Sequence, residues 1–429
     1  MSSELVILLI LFLALMVIGV PISYATALAC GIYLLLADFS LIIVPQRMFA
    51  TINNTSFTAI PLFMLAGELM NSGGITRKII DFSKTLIGHV AGGFAHVSIL
   101  AGMIFAAMSG SAAAAGASIG SMMIPAMKEA GYDNDFGVAV TASAAVIGPI
   151  IPPSIIMVIF AGCTGASVGK LFMGGVVPGV MIGLALMGLS TFIAKRRGYK
   201  PMTDHRASFR EVLRSFWNSL PALMLPVIII GGILSGIVTP TEAGMLGVIY
   251  GAIIGFAYKE ITVKDIKPIF VNAAKSASNI LFLMSTGQIL GWILTSAQLP
   301  QKIAVALTSV TDSPVLMMLI IVFFVSVLGM FMDNSSIVPI LAPLLLPITQ
   351  ALNIDLIQYG VILCMTAVAG ALTPPVGNLL YIGAAIGNVP IMKAAKTTLP
   401  FWLAITLVII LCSIFPATIT FLPNLLMGT

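Results

Sequence analysis

Six helix-punctuating residues of this chain recur in one constant register. Pro125, Gly148, Pro152, Pro153, Gly165 and Pro178 are answered, 222 positions on, by Pro347, Gly370, Pro374, Pro375, Gly387 and Pro400. Six coincidences at one offset do not arise by chance. A second pair of stretches agrees at a nearby offset: Ile60–Met70 (IPLFMLAGELM) and Ile280–Leu290 (ILFLMSTGQIL) share an isoleucine, a methionine and a glycine in step. The chain is therefore one plan written twice. Each copy carries a Gly-x-x-x-Pro-Pro break inside an apolar segment, and a break of that kind frees backbone carbonyls from the helical ladder.

The medium follows from composition. Hydrophobic residues make up 59% of the chain and charged residues 8%, with a mean hydropathy of +1.12. Apolar runs of about 20 residues, enough to cross a bilayer, recur from end to end. The fold class is thus an all-α polytopic membrane protein; the short alternating segments of a transmembrane barrel are missing. The net charge of +5 sits in the loops and gives no reason to expect nucleic acid. Cys30, Cys163, Cys364 and Cys412 lie in apolar segments, where free buried thiols are ordinary. The start, Met1-Ser2-Ser3-Glu4 and then an apolar run, lacks a basic n-region and cleavage site and reads as the first span.

Pro21 splits the first run, Leu5–Ala37, into two spans. After a loop near Pro45–Arg47 comes a span over Phe57–Met70, and Ile75–Ile87 is amphipathic enough to lie in the interface. The stretch 92–127, with Ser109-Gly110-Ser111 at its middle, is too long for one helix and has no polar turn for two full spans. It fits a re-entrant hairpin, which survives at membrane depth only when packed in protein or lining a cavity. A broken helix over 136–165 follows, completing a first repeat over 1–200. Residues 201–216, where Arg206, Arg210 and Arg214 stand four apart, read as an interfacial linker helix. The second repeat, 217–429, has its hairpin over 314–350, tip near Met332–Ser336, and its broken helix over 358–388. A short amphipathic piece is expected at Leu299–Val310.

Basic residues test the threading. If the first hairpin opens to the cytoplasm and the second to the far side, 17 of the 20 Lys and Arg residues fall in cytoplasmic segments. The positive-inside rule favours that arrangement, with both termini outside. The two repeats then run in opposite directions, an inverted-topology pair of the kind on which many transporters are built.

The hairpin tips and breaks would converge at the midplane. Free carbonyls helped by hydroxyls suit a hard cation, while helix N-termini suit a carboxylate. Ser109, Ser111, Gly148, Ile151 and Pro153 supply one oxygen cage, and Asn334, Ser335, Gly370, Thr373 and Pro375 its counterpart. Ser111, Pro152, Ser154, Asp333, Asn334 and Pro374, at the same tips and breaks, are the candidate substrate contacts. Close-packed helix faces are the plainer reading of any one small residue here; the duplicated break beside a hairpin tip argues against it. Glu68 and Glu242 either cap helices or act in the membrane, whereas Asp333 is the better functional candidate. No acid-rich relay crosses the core, which favours sodium over protons. No paired nucleophile and base, Cys/His cluster or phosphate-binding glycine loop is present, so neither an enzyme nor direct ATP use is expected.

Ser109-Gly110-Ser111, Ile124-Pro125, Gly131-Tyr132, Pro152-Pro153-Ser154, Leu171-Phe172, Pro178-Gly179 and Gly236–Ala243 (GIVTPTEA) together resemble the large membrane subunit of tripartite ATP-independent periplasmic (TRAP) transporters. The likeness covers essentially the whole chain and is greatest to the sialic-acid systems. It implies an elevator-type, sodium-driven importer of a carboxylate in a bacterial inner membrane, with Na+ at two or more sites and no organic cofactor. It also implies two partners, a small membrane subunit and a periplasmic binding protein. Carried over by position, one sodium site uses Ser109, Ser111 and the backbone at Gly148, Ile151 and Pro153, and a second uses the Gly370–Pro375 break with Thr373. The second tip reads Asp333-Asn334-Ser335-Ser336 in place of Ser-Gly-Ser. A C4-dicarboxylate system, a stand-alone sodium–dicarboxylate symporter and a channel stay open as alternatives.

Overall fold

The computed structural model describes residues 3–302 and 311–428, and among these no strand occurs. The piece expected at Leu299–Val310 falls largely outside them. The first helices are α1 (Ser3–Val17), α2 (Ile22–Leu36), α3 (Ile43–Ile52), α4 (Thr55–Ser72) and α5 (Ile75–Ile87). Pro21 separates α1 from α2 as its missing N–H requires. The loop expected at Pro45–Arg47 is helical instead, because Pro45 sits in the first turn of α3, where no N–H partner is needed.

Two hairpins and two interrupted helices follow in the predicted register. The first hairpin is α6 (Gly93–Ser109) and α7 (Ala112–Glu129), and the interrupted helix is α8 (Asn134–Ala145) and α9 (Ile155–Thr164). Then come α10 (Val168–Arg197), α11 (Phe209–Leu234), α12 (Pro240–Ala257) and α13 (Val263–Ser296). The second hairpin is α14 (Pro314–Gly329) and α15 (Asn334–Ala351), its interrupted helix α16 (Leu356–Gly370) and α17 (Asn378–Gly387), and the chain closes with α18 (Ile391–Ile414) and α19 (Ala417–Met427). Helix α15 begins and ends 222 residues after α7, and Asp133 and Asp355 precede α8 and α16 at that same spacing. Among the described residues six helices (α10 to α13, α15 and α18) are long and apolar enough to cross a membrane.

The repeats interlock. Each hairpin packs on the first half of its own broken helix, and its second arm meets the far half of the other repeat's: α7 touches α8 and α17, and α15 touches α16 and α9. Helix α16 is buried on every side from Ile357 to Gly370, as expected of a helix at the centre of a bundle. Around this core, α4 and α13, which carry the two matching stretches, touch each other and reach the hairpins. Gly244, Gly247 and Gly251 of α12 face Leu62, Ala66 and Leu69 of α4, a small-residue contact that draws two backbones together.

Two polar-to-apolar boundaries vanish. Residues 201–208 are irregular, and the basic segment after them is the first third of α11, a single helix of 26 residues. Ser208 and Glu211 set its start: the Ser208 N–H donates to Glu211 Oε2 at 2.6 Å and the Glu211 N–H to Ser208 Oγ at 3.3 Å. Likewise α13 runs unbroken for 34 residues through a predicted interfacial helix and span. Glu242 proves to be a cap, accepting from the Thr239 N–H at 2.7 Å and its hydroxyl at 2.9 Å.

The loop after α7 is pinned to the end of α10. Tyr132 and Tyr199 stack at 4.2 Å, and Asp133 accepts from Arg197 at 2.8 Å and from the Tyr199 hydroxyl at 2.6 Å. Burial, and then the Asp133 carboxylate, raise the Tyr199 phenol above its usual value, so it remains a donor at neutral pH. The ion pair is solvent-exposed and worth at most about 1 kcal/mol, whereas the stacked ring carries buried area and an aromatic term. Tyr199→Ala is therefore expected to lower thermal stability by about 1–3 kcal/mol, and Asp133→Asn by less. Thermal unfolding in detergent checks the order; equal shifts would refute it.

Candidate functional site

Four helices start at the centre of the molecule. They are α7 behind Ser111, α9 behind Ser154, α15 behind Asp333 and α17 behind Gly377. Residues at all four starts line one cavity of 180 Å³, among them Ser111, Ile155, Asp333, Asn334, Ser335 and Asn378. The first N–H groups of a helix lack intrahelical acceptors, and its aligned dipoles sum to about half a positive charge there. Such ends favour an anion; among the described residues no lysine or arginine lines the space, and its charged group is the Asp333 carboxylate that caps one of the four helices. Met64 and Ile280, from α4 and α13, close the wall.

Each tip touches its own break through backbone. Gly110 has φ +59°, and a Cβ there would lie 2.8 Å from the Pro153 carbonyl oxygen; only glycine combines that conformation with that approach. At the second tip, a Cβ on Gly370 would lie 2.6 Å from Gly329 Cα, and the Val376 N–H donates to Met330 O at 3.0 Å. Asp333 ties tip and break together, accepting from Asn378 Nδ2 at 3.0 Å and from the Ser335 N–H at 3.1 Å.

The hydroxyls differ in how much bonding capacity remains. Ser109 Oγ lies 3.4 Å from both the N–H and the carbonyl of Ser111, and Ser111 Oγ lies 3.4 Å from the Ala114 N–H. These are long contacts that leave lone pairs open. Thr373 donates to Gly370 O at 2.7 Å and keeps its acceptor capacity. Ser154 is fully buried, donates to Pro149 O and accepts from the Met157 N–H at 3.3 Å, so its hydroxyl is engaged in starting α9.

Of the residues singled out from sequence, Ser111, Asp333, Asn334 and Ser335 meet in the central cavity. Ser109 and Ser111 line a second, adjoining cavity of 230 Å³. Gly148, Ile151, Pro152 and Pro153 form the first break, and Gly370, Thr373, Pro374 and Pro375 the second, both behind the tips. Gly148 lies against the start of α7, with its added Cβ 3.4 Å from Ala112 N. Asn378 and Ala371 on the central wall, and Asn71 and Ser276 on the adjoining one, were not foreseen. A lone asparagine directly after the Gly377 turn was the available signal for the first.

Comparison with known proteins places this geometry. Residues 9–418 match the family described as the tripartite ATP-independent periplasmic transporter, DctM component. The chain is 38% identical over 427 residues to the sialic acid TRAP transporter permease protein SiaT of Haemophilus influenzae, covering 99% of this chain and 69% of that one. It is also 38% identical over 380 residues to the C4-dicarboxylate TRAP transporter large permease protein DctM of Pseudomonas aeruginosa, covering 88% of each. Among solved structures, the YdaH transporter of Alcanivorax borkumensis superposes with a TM-score of 0.65 at 14% identity, over 96% of this chain and 98% of that one. That likeness concerns the fold.

Proposed function

Because the chain belongs to the DctM-component family of tripartite ATP-independent periplasmic transporters, we propose that it imports a carboxylate solute, sialic acid, driven by sodium. The observation that carries this reading is the convergence of four helix N-termini on one cavity with no basic side chain in its wall. Such a site holds a carboxylate by N–H groups and dipoles, and the Asp333 carboxylate in its wall favours a cation that enters with the solute. Ser109, Ser111 and the break carbonyls supply oxygen ligands at the first tip; Asn334, Ser335, Thr373 and the second break supply them at the other.

The hairpins and broken helices, α6–α9 and α14–α17, form the moving body of an elevator, sliding against α4 and α11–α13. Repeats over 1–200 and 217–429 around a linker at 201–216 provide its two-fold plan. The basic-residue distribution puts both termini on the periplasmic side of the inner membrane. A small membrane subunit steadies the scaffold, and a periplasmic binding protein delivers the solute. One relative named for sialic acid and one named for C4-dicarboxylates are each 38% identical, over 427 and 380 residues, so a C4-dicarboxylate is the second reading.

The test is uptake into proteoliposomes holding this chain and its small partner, with a cognate binding protein outside. Sialic acid uptake that needs both the binding protein and an inward sodium gradient is expected. Uptake of C4-dicarboxylates alone would replace the solute, and uptake of free solute without the binding protein would overturn the tripartite reading.

A further inference from the structure

Glu68 is an unexplained charge. It is the one charged residue of α4 and is half-buried, with no hydrogen bond or ion pair among the described residues. A carboxylate kept from water is costly unless something neutralises it. It faces the 230 Å³ cavity, whose other polar groups are Asn71 one turn along, Ser276 of α13, and Ser109 and Ser111 of the first tip. Among the described residues the wall offers oxygen ligands and contains no lysine or arginine. Its neighbour Gly67 lies against the tip, an added Cβ there falling 3.2 Å from Ser109 O.

Position gives this cavity a direction. It shares Met64, Ser111, Ala113 and Ile155 with the central cavity. From there it extends toward the end of α4 that leads into Arg77 and Lys78, beside Lys275 of α13. By the threading above, that is the cytoplasmic side. Its ligands also come from two bodies, the hairpin tip on one side and α4 and α13 on the other, so the set is assembled only when those bodies stand as they do here.

We propose that Glu68, Asn71 and Ser276, with Ser109 and Ser111, form a release station for the coupling cation on the cytoplasmic side of the first tip. The station deepens the sodium-coupled reading and rests on it. A sodium ion leaving the tip oxygens meets the Glu68 carboxylate next. Glu68 therefore acts on the ion's departure and rebinding from inside, and leaves solute recognition and ion capture from outside alone.

Internal sodium is the probe. In proteoliposomes with the binding protein supplied only outside, one orientation is read, and sodium trapped inside slows uptake by occupying the inward-facing station. In Glu68→Gln the half-inhibitory internal sodium concentration is expected to rise about tenfold, with external half-activation and the solute KM within about twofold of wild type. Asn71→Ala and Ser276→Ala are expected to move internal inhibition the same way by less, and they serve as independent tests should Glu68→Gln fold poorly. Unchanged internal inhibition in these variants overturns the station. So does a parallel shift in external activation, which would make Glu68 part of the main ion site. A wild-type complex with no sodium activation at all overturns the coupling reading itself, and the station with it.

Discussion

Alanine at Gly370 is expected to abolish uptake and to lower stability by about 3 kcal/mol or more, at the upper end of overpacking effects. The added methyl would sit 2.6 Å from Gly329 Cα and 2.8 Å from its carbonyl carbon. Both obstacles are backbone and cannot rotate away. Relief requires the second hairpin to part from its break, which opens the contact that brings Asp333 to Asn378. Two controls calibrate the result. A Cβ at Gly287 meets only Pro339 at 3.7 Å, and one at Gly188 meets nothing within 4 Å. Gly287→Ala should change stability by less than about 1 kcal/mol, and Gly188→Ala should be neutral or slightly stabilising through helix propensity. Thermal unfolding of the three variants beside wild type decides the point, and a Gly370→Ala protein with a wild-type midpoint would show that tip and break are not in contact.

The second large effect concerns the ion. Removing one hydroxyl ligand forfeits about 1–3 kcal/mol. Replacing both Ser109 and Ser111 by alanine should therefore raise the sodium concentration for half-maximal uptake by at least about tenfold. Ser109 makes only 3.4 Å contacts and Ser111 caps α7 through one of the same length, so expression should stay near wild type and stability should fall by no more than about 1 kcal/mol. Thr373→Ala should shift sodium activation in the same direction. Ser154→Ala should behave in the opposite manner: its hydroxyl starts α9 from a fully buried position, so stability falls by about 1 kcal/mol while sodium activation is unchanged. Unaltered sodium activation in the Ser109/Ser111 double variant would remove the first cage.

Much of the architecture was legible because punctuation in a membrane helix is hard to disguise. Gly148–Pro153 and Gly370–Pro375 had to interrupt the ladder, and Ser111 and Asp333 had to lie at tips within stretches too long for one helix. What escaped was of two kinds. Residues 209–216 and 263–275 change from polar to apolar company partway along, and that change suggested boundaries. The hydrogen-bond ladder is indifferent to it, so α11 and α13 run straight from interface into membrane. The other kind is non-local. That α7 meets α17 while α15 meets α9 follows from how the copies interlock, which no local pattern encodes. Asn378, Asn71 and Ser276 join the cavities only through that interlocking. Glu242 and Glu68 look alike in sequence and part ways in three dimensions, one completing a capping box and the other facing a cavity without a partner among the described residues.

The central claim is that solute and sodium cross together through one site between the tips. Its most direct test is paired counting of radioactive sodium and radiolabelled solute entering the same sealed proteoliposomes, with the small subunit and binding protein present. The account predicts that the two enter in a fixed ratio, that both depend on the binding protein, and that Ser109→Ala/Ser111→Ala depresses both together at low sodium. Solute accumulating with no accompanying sodium would contradict it.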